Sequence, residues 1–258
     1  MHRLLPLFAF VPLAALPVAT HAAEKDSKVY EMRVYYSAPG KLDALHARFK
    51  NHTMELFDKH GLTNVAYFVP VGENKDNKLV YFLSYPSKDA AAQSWKAFGA
   101  DPDWKKAKAE SEKDGKLVKN VESKYMSPTD YSPELKVGEA NAVRVFELRT
   151  YTTTKGNLPA LDARFRDHTI KLFEKHGMTN VAYWHPLPDQ KGADNTLIYI
   201  LAHKSPEAAK ASFDAFRADP DWVKARTESE KKAGGSLTEA KGGVVSEFLK
   251  PTDYSPLK

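Results

Sequence analysis

The chain is written twice. Residues 40–70 (GKLDALHARFKNHTMELFDKHGLTNVAYFVP) return at 156–186 as GNLPALDARFRDHTIKLFEKHGMTNVAYWHP, identical at 20 of 31 positions. The likeness runs on to either side, pairing Tyr30-Glu31-Met32-Arg33 with Phe146-Glu147-Leu148-Arg149 and Asp101-Pro102-Asp103-Trp104 with Asp219-Pro220-Asp221-Trp222. The offset between copies is 116 from Tyr30/Phe146 to Pro70/Pro186, 118 from Leu79/Leu197 to Trp104/Trp222, and 123 at Val121/Val244. Length changes therefore fall in 71–78 and 112–120, polar stretches of the kind that surface loops tolerate. A period this long is a duplicated domain, because solenoid repeats are about 20–50 residues.

Within one copy, 28–36 alternates and is rich in Val and Tyr, which predicts a strand closed by Pro39-Gly40. Leu42, Leu45, Phe49, Leu56 and Phe57 form a helical stripe that Gly61 stops. Strands follow at 63–69 and 79–85, then a helix marked by Ala91, Trp95 and Phe98, a helical turn capped by Asp101-Pro102, a strand at 121–126 and an extended Pro-Thr-Asp-Tyr-Ser-Pro tail. Trp95, Trp104 and Trp222 read as core. The order β-α-β-β-α-β is a ferredoxin-like unit, occurring twice. Strands two and three carry apolar residues on both faces, so each sheet wants a second layer besides its helices. The expectation is an α+β fold of two tandem ferredoxin-like units that meet sheet to sheet as an internal pseudo-dimeric α/β barrel. The units divide as 23–136 and 137–258, after a signal peptide at 1–22.

That amino terminus has Arg3, an apolar run over 4–18, and small residues at Ala19, Ala22 and Ala23 ahead of Glu24-Lys25-Asp26, the pattern of an export signal cut after Ala22. The run is short for a membrane span and contains Pro6, Pro12 and Pro17. A periplasmic or secreted protein, with no membrane attachment after cleavage, is expected. With no cysteine it uses neither disulfides nor thiol chemistry. A net charge of +5 with lysines interleaved with acids argues against a nucleic-acid partner.

The opening Tyr-Glu-x-Arg-x-Tyr (Tyr30–Tyr35, with Phe146 first in the second copy), the Lys-His-Gly turns at Lys59 and Lys175, the Ala-Asp-Pro-Asp-Trp helix starts and the closing Pro-Thr-Asp-Tyr-Ser-Pro together resemble NIPSNAP domains, in tandem over nearly all of the mature chain. The resemblance implies the dimeric α/β-barrel superfamily. Its members include haem-degrading monooxygenases, cofactor-independent oxygenases, peroxidases and lactone isomerases, so fold analogy selects no reaction.

Two sets of residues are candidates for chemistry. Glu31, Arg33 and Tyr35, with Glu147, Arg149 and Tyr151, are expected on the sheet face away from the helices. There they either bind a small anionic or aromatic ligand, with Tyr67, Tyr183 and His185 as further ligand-binding candidates, or pair across the repeat interface. His52 and His168 fall on the inward stripe of the first helix. Each is a candidate base, or a core histidine satisfied by a hydroxyl such as Tyr67, whose copy is Tyr183. His60 and His176 suit helix ends, and His46, replaced by Asp162 in the copy, reads as a surface residue. Symmetry breaks where Phe68-Val69 becomes Trp184-His185 and Tyr85 becomes His203, which favours the second unit for a ligand. No metal-ligand spacing, phosphate loop or nucleophile elbow is present, and no cofactor is named. Three functions compete. The first is an exported small-molecule-binding barrel. The second is an oxygenase or isomerase, haem-linked in one form, with His52 or His168 as base and Arg33 or Arg149 holding the substrate. The third is a partner-binding module using the tails. The chain is a monomer with an internal pseudo-dimer, or a homodimer of such chains.

Overall fold

A computed structural model describes residues 28–138 and 144–258. The expected export signal lies outside the described residues. Each repeat contributes four strands: β1 (Val29–Ser37), β2 (Thr63–Pro70), β3 (Lys78–Tyr85) and β4 (Val118–Pro128), then β5 (Val145–Thr152), β6 (Thr179–Pro186), β7 (Thr196–His203) and β8 (Val244–Pro251). All pair antiparallel in one closed barrel of order β1-β3-β2-β8-β5-β7-β6-β4. The two repeats are joined by β2–β8, through Phe68 to Pro70, and by β4–β6, through Met126 to Pro128. The fourth strand of each repeat thus closes onto the second strand of the other.

The helices lie outside. They are α1 (Leu42–Arg48), α2 (Met54–Lys59), α3 (Lys88–Ala100) and α4 (Pro102–Ser111), then α5 (Leu158–Arg164), α6 (Ile170–Lys175), α7 (Pro206–Ala218) and α8 (Pro220–Ala233). One π-helical turn, Phe49–Thr53, joins α1 to α2, and another, Phe165–Thr169, joins α5 to α6. Asp101 caps α4 by accepting from the backbone N–H groups of Asp103 and Trp104, as the Asp-Pro pair predicts.

Three cores result. Tyr30, Phe68, Phe82, Phe146, Trp184 and Ile200 fill the barrel, while aromatic clusters around Tyr67 and Tyr81, and around Tyr183 and Tyr199, sit between the sheet and the helices. Trp95, Trp104 and Trp222 pack against these outer clusters, half-buried.

The Pro-Thr-Asp-Tyr-Ser-Pro tails cross between repeats. After β4, Thr129 N–H donates to the Tyr183 carbonyl at 3.0 Å, and Tyr183 N–H donates to Ser132 Oγ at 3.0 Å. After β8, Thr252 and Ser255 make the same two bonds with Tyr67, each at 2.9 Å. Each tail extends the hydrogen bonding of a strand that belongs to the other repeat.

Candidate functional site

The polar set on the first strand faces the helices, opposite to the sequence expectation. Glu31 is fully buried beneath α3, where its carboxylate accepts from Arg33 (2.5 Å), the Tyr85 hydroxyl (2.7 Å), Trp95 Nε1 (2.8 Å) and Ser123 Oγ (2.6 Å). Arg33 also donates to the Tyr81 hydroxyl at 2.8 Å and lies 4.4 Å over the Trp95 ring. Tyr35 packs edge-on against Phe49 and Tyr81. Alternation along β1 separates Glu31, Arg33 and Tyr35 from Tyr30, Met32 and Val34, and it is the second, apolar trio that enters the barrel. The reason is chemical: a buried carboxylate needs donors, and the helix side brings Arg33, the Tyr85 hydroxyl, the Trp95 indole N–H and the Ser123 hydroxyl to one point.

The second repeat keeps the pattern with fewer donors. Glu147 accepts from Arg149 at 2.5 Å and faces His203 Nε2 at 3.1 Å, and Arg149 donates to the Tyr199 and Tyr151 hydroxyls. Burial raises the Glu147 carboxyl, but the His203 hydrogen bond and the Arg149 charge outweigh it, leaving the group below its ordinary value. His203 Nδ1 is sealed from solvent and has no hydrogen-bond partner among the described residues.

His52 and His168 are exposed, which corrects the expectation that they point inward. The π-helical turn is the cause. Met54 N–H reaches back to the Phe49 carbonyl, five residues earlier, so the helix carries an extra residue there and the inward phase passes to Thr53, 2% exposed. Thr53 Oγ1 donates to the Arg48 carbonyl at 3.1 Å, and Thr169 repeats this toward Arg164 at 3.0 Å. Tyr67 and Tyr183 therefore do not partner these histidines. Their hydroxyls donate to Asn64 and Asn180 in their own strands. His52 lines a shallow hollow of about 450 Å³ between helices, with Glu55, Lys59, Asp103, Lys106 and Glu110. Its walls are outward helix faces bearing both charge signs, which reads as a solvated groove.

His60 joins two repeated motifs. Its Nε2 lies 2.6 Å from Asp101, which Lys59 also contacts at 2.9 Å, and His176 and Lys175 do the same with Asp219 at 2.7 and 2.8 Å. These partners hold both aspartates well below the usual carboxylate range. Sequence reasoning assigned each motif to its own helix end; the structure makes them one lock.

His185 belongs to a cluster that binds the first tail. Its Nε2 is 3.1 Å from Asp162 and its Nδ1 is 2.9 Å from the Thr196 carbonyl. Asp162 also accepts from the Tyr131 hydroxyl at 2.6 Å, and Arg166 pairs twice with Asp130 at 2.7 and 2.8 Å. Both ring nitrogens of His185 face acceptors, so the imidazolium is favoured. Burial lowers its pKa, but these two bonds more than offset it and the value is raised. A histidine so engaged has no lone pair with which to act as a base. In the first repeat His46 replaces Asp162 and faces the Tyr254 hydroxyl at 2.6 Å, which makes it half-buried and paired where a plain surface residue was expected.

A second recess, about 570 Å³, opens at one mouth of the barrel. Tyr30, Ala182 and Trp184 reach it from the barrel core, and Pro128, Pro133, Glu134 and Leu135 of the first tail wall it, with Lys28, Thr63, Ser84 and Tyr85 among the rest of the lining. Burial and the nearby Glu134 carboxylate push the Tyr30 phenol up to about 12, so it is a hydrogen-bond donor throughout the ordinary pH range. At the pseudo-equivalent mouth the two tails differ. Leu257 follows Pro256 and enters the barrel core at 4% exposure, whereas exposed Glu134 follows Pro133 and the next apolar residue, Leu135, is only partly buried.

The family model of NIPSNAP matches residues 30–133 and 146–256. The chain belongs to the NIPSNAP family. Solved structures agree with the architecture. A monooxygenase-like protein of Fusobacterium nucleatum is 11% identical, with a TM-score of 0.55 over 90% of this chain and 98% of its own. Another, of Lactobacillus acidophilus, is 8% identical, with a TM-score of 0.51 over 87% and 94%. At these identities the likeness shows the fold alone. A NIPSNAP-like domain protein of Burkholderia xenovorans is 18% identical and matches 43% of this chain and 93% of its own, with a TM-score of 0.38. A comparison with curated protein sequences finds no match.

Of the residues that line the open mouth of this NIPSNAP pair, the sequence marks Trp184 through the change from Phe68-Val69 to Trp184-His185, but not Tyr30 or Glu134 as site residues. Tyr30 enters the sequence reading as the first residue of the Tyr-Glu-x-Arg-x-Tyr motif, and Glu134 lies just beyond the Pro-Thr-Asp-Tyr-Ser-Pro tail. The available signal was the mismatch between copies. Tyr30 stands against Phe146, Trp184 against Phe68, and Ser-Pro-Glu-Leu-Lys (132–136) against Ser-Pro-Leu-Lys (255–258).

Proposed function

We propose that this is an exported NIPSNAP protein that binds one small, largely apolar molecule per chain at the open mouth of its barrel. The observation that carries this reading is the broken symmetry of the two tails: Leu257 is buried in the barrel core, whereas its counterpart Glu134 is exposed at the wall of a recess of about 570 Å³ backed by core aromatics. Recesses of this size and mixed lining suit small ligands. The buried Glu31 and Glu147 boxes support a different role, holding α3 and α7 onto the sheet, because their carboxylates already have protein partners.

Titration with the neutral, environment-sensitive dye Nile red should reveal one saturable site per chain. Deleting Glu134, which makes the first tail read like the second, should abolish it while thermal melting shows an intact fold. No saturable site in the wild type, or two equivalent ones, would refute the reading. Export is supported by Arg3, the apolar run over 4–18 and the small residues around Ala22. The intact mass of protein recovered from the periplasm of a bacterial host should correspond to a chain beginning at Ala23, and a full-length mass in the cytoplasm would count against it.

A further inference from the structure

The two mouths differ in chemistry as well as in access. At the plugged mouth the facing aromatic pair is Phe68 and Phe146, with ring centroids 4.9 Å apart. At the open mouth the corresponding pair is Trp184 and Tyr30, 5.5 Å apart. Each member of the second pair has gained a hydrogen-bond donor, and the gain occurs only where the barrel is open. Tyr30 is 6% and Trp184 1% exposed, and neither the Tyr30 hydroxyl nor the Trp184 indole N–H forms a hydrogen bond among the described residues; neither atom is sealed from solvent, so both are open to an occupant of the recess they line. A donor at the wall of a recess that no protein group reaches is free to bond water or a ligand.

We infer that the recess takes a neutral, flat apolar molecule bearing a carbonyl-type acceptor oxygen, received by the Tyr30 hydroxyl and the Trp184 indole N–H. This rests on the reading of the recess as a binding site. An indole N–H can only donate, so its partner must be an acceptor. The acceptor is uncharged because no arginine lines the recess and Glu134 stands near Tyr30, so a carboxylate brought to that depth would be desolvated and repelled. Lys28 lies 5.8 Å over the Tyr30 ring, but it is exposed at the rim, where a charge contributes little. The body is apolar because Trp184, Ala182, Pro128 and Leu135 supply walls of the recess, and an aromatic ring suits the Tyr30 and Trp184 rings among them.

Calorimetric titration with three probes of one ring system, acetylnaphthalene, ethylnaphthalene and naphthoate, tests this. The ketone should bind about fivefold or more tighter than the hydrocarbon, the worth of a net hydrogen bond. That preference should vanish in the Tyr30→Phe, Trp184→Phe double variant, which installs the residues the other mouth already uses. Naphthoate should bind weakest, and Glu134→Gln should narrow its deficit. Equal binding of ketone and hydrocarbon, or naphthoate binding tightest, would overturn the ligand class and leave the recess as a site. Failure of all three to bind would bring down the recess reading and this inference with it.

Discussion

Glu31 and Glu147 occupy the same place in the two repeats and keep different company. Four side chains donate to Glu31, while Glu147 has Arg149 and His203. Removing one member of a buried ion pair leaves the other uncompensated, at a cost of about 3–5 kcal/mol. Glu31→Gln should approach that value in urea unfolding, because the carboxylate also organises Tyr85, Trp95 and Ser123. Glu147→Gln should cost less, and equal losses would mean that the extra donors contribute nothing. The alternation of these side chains along β1 was legible in the sequence, but not which face would be the barrel. Val65, Ala66, Tyr67 and Phe68 are all buried, so β2 offers apolar side chains to both layers and the pattern cannot tell inside from outside.

At the scale of elements, strands and helices followed from alternation, stripes and caps, whereas local irregularities did not. The π-helical turns displaced His52 and His168 from their predicted faces, and nothing in FKNHT or FRDHT distinguishes a five-residue hydrogen bond from a four-residue one. The tails have a further property. The first is held by the His185 imidazolium and Asp162, with Tyr131, Asp130 and Arg166 around them; at the second, Val69 stands where His185 would be. Since the folded pKa of His185 is raised above 6.5, its stabilisation is fully present below that pH and is lost as pH rises through the folded value. Thermal melts of the wild type should therefore lose stability as pH climbs from mildly acidic through neutral, and His185→Val should flatten that slope. An unchanged slope in the variant would remove His185 as its source.

For the whole molecule, exchange of the fourth strands and tails means that neither repeat is complete alone. In residues 28–136 expressed by themselves, β2 and β4 both lack the strands that cover them here. The edges of one copy match those of another, because Pro128-Thr129-Asp130-Tyr131-Ser132 repeats as Pro251-Thr252-Asp253-Tyr254-Ser255. That fragment should run as a dimer by light scattering, and a folded monomer would show that the barrel is not needed to complete the unit. Architecture at this scale was readable from the duplication itself. The open mouth was not, since it depends on residues 30, 134 and 184 converging from three distant stretches of chain.

The one-residue difference between the two tails has an evolutionary meaning. In a barrel assembled from two identical subunits, every mutation is made twice, so a gain at one mouth is always copied to the other along with its cost to packing. Joining the copies in one gene frees each to drift separately, with one half kept as a conservative frame while the other explores. Glu134 and Leu257 stand at one such point of divergence.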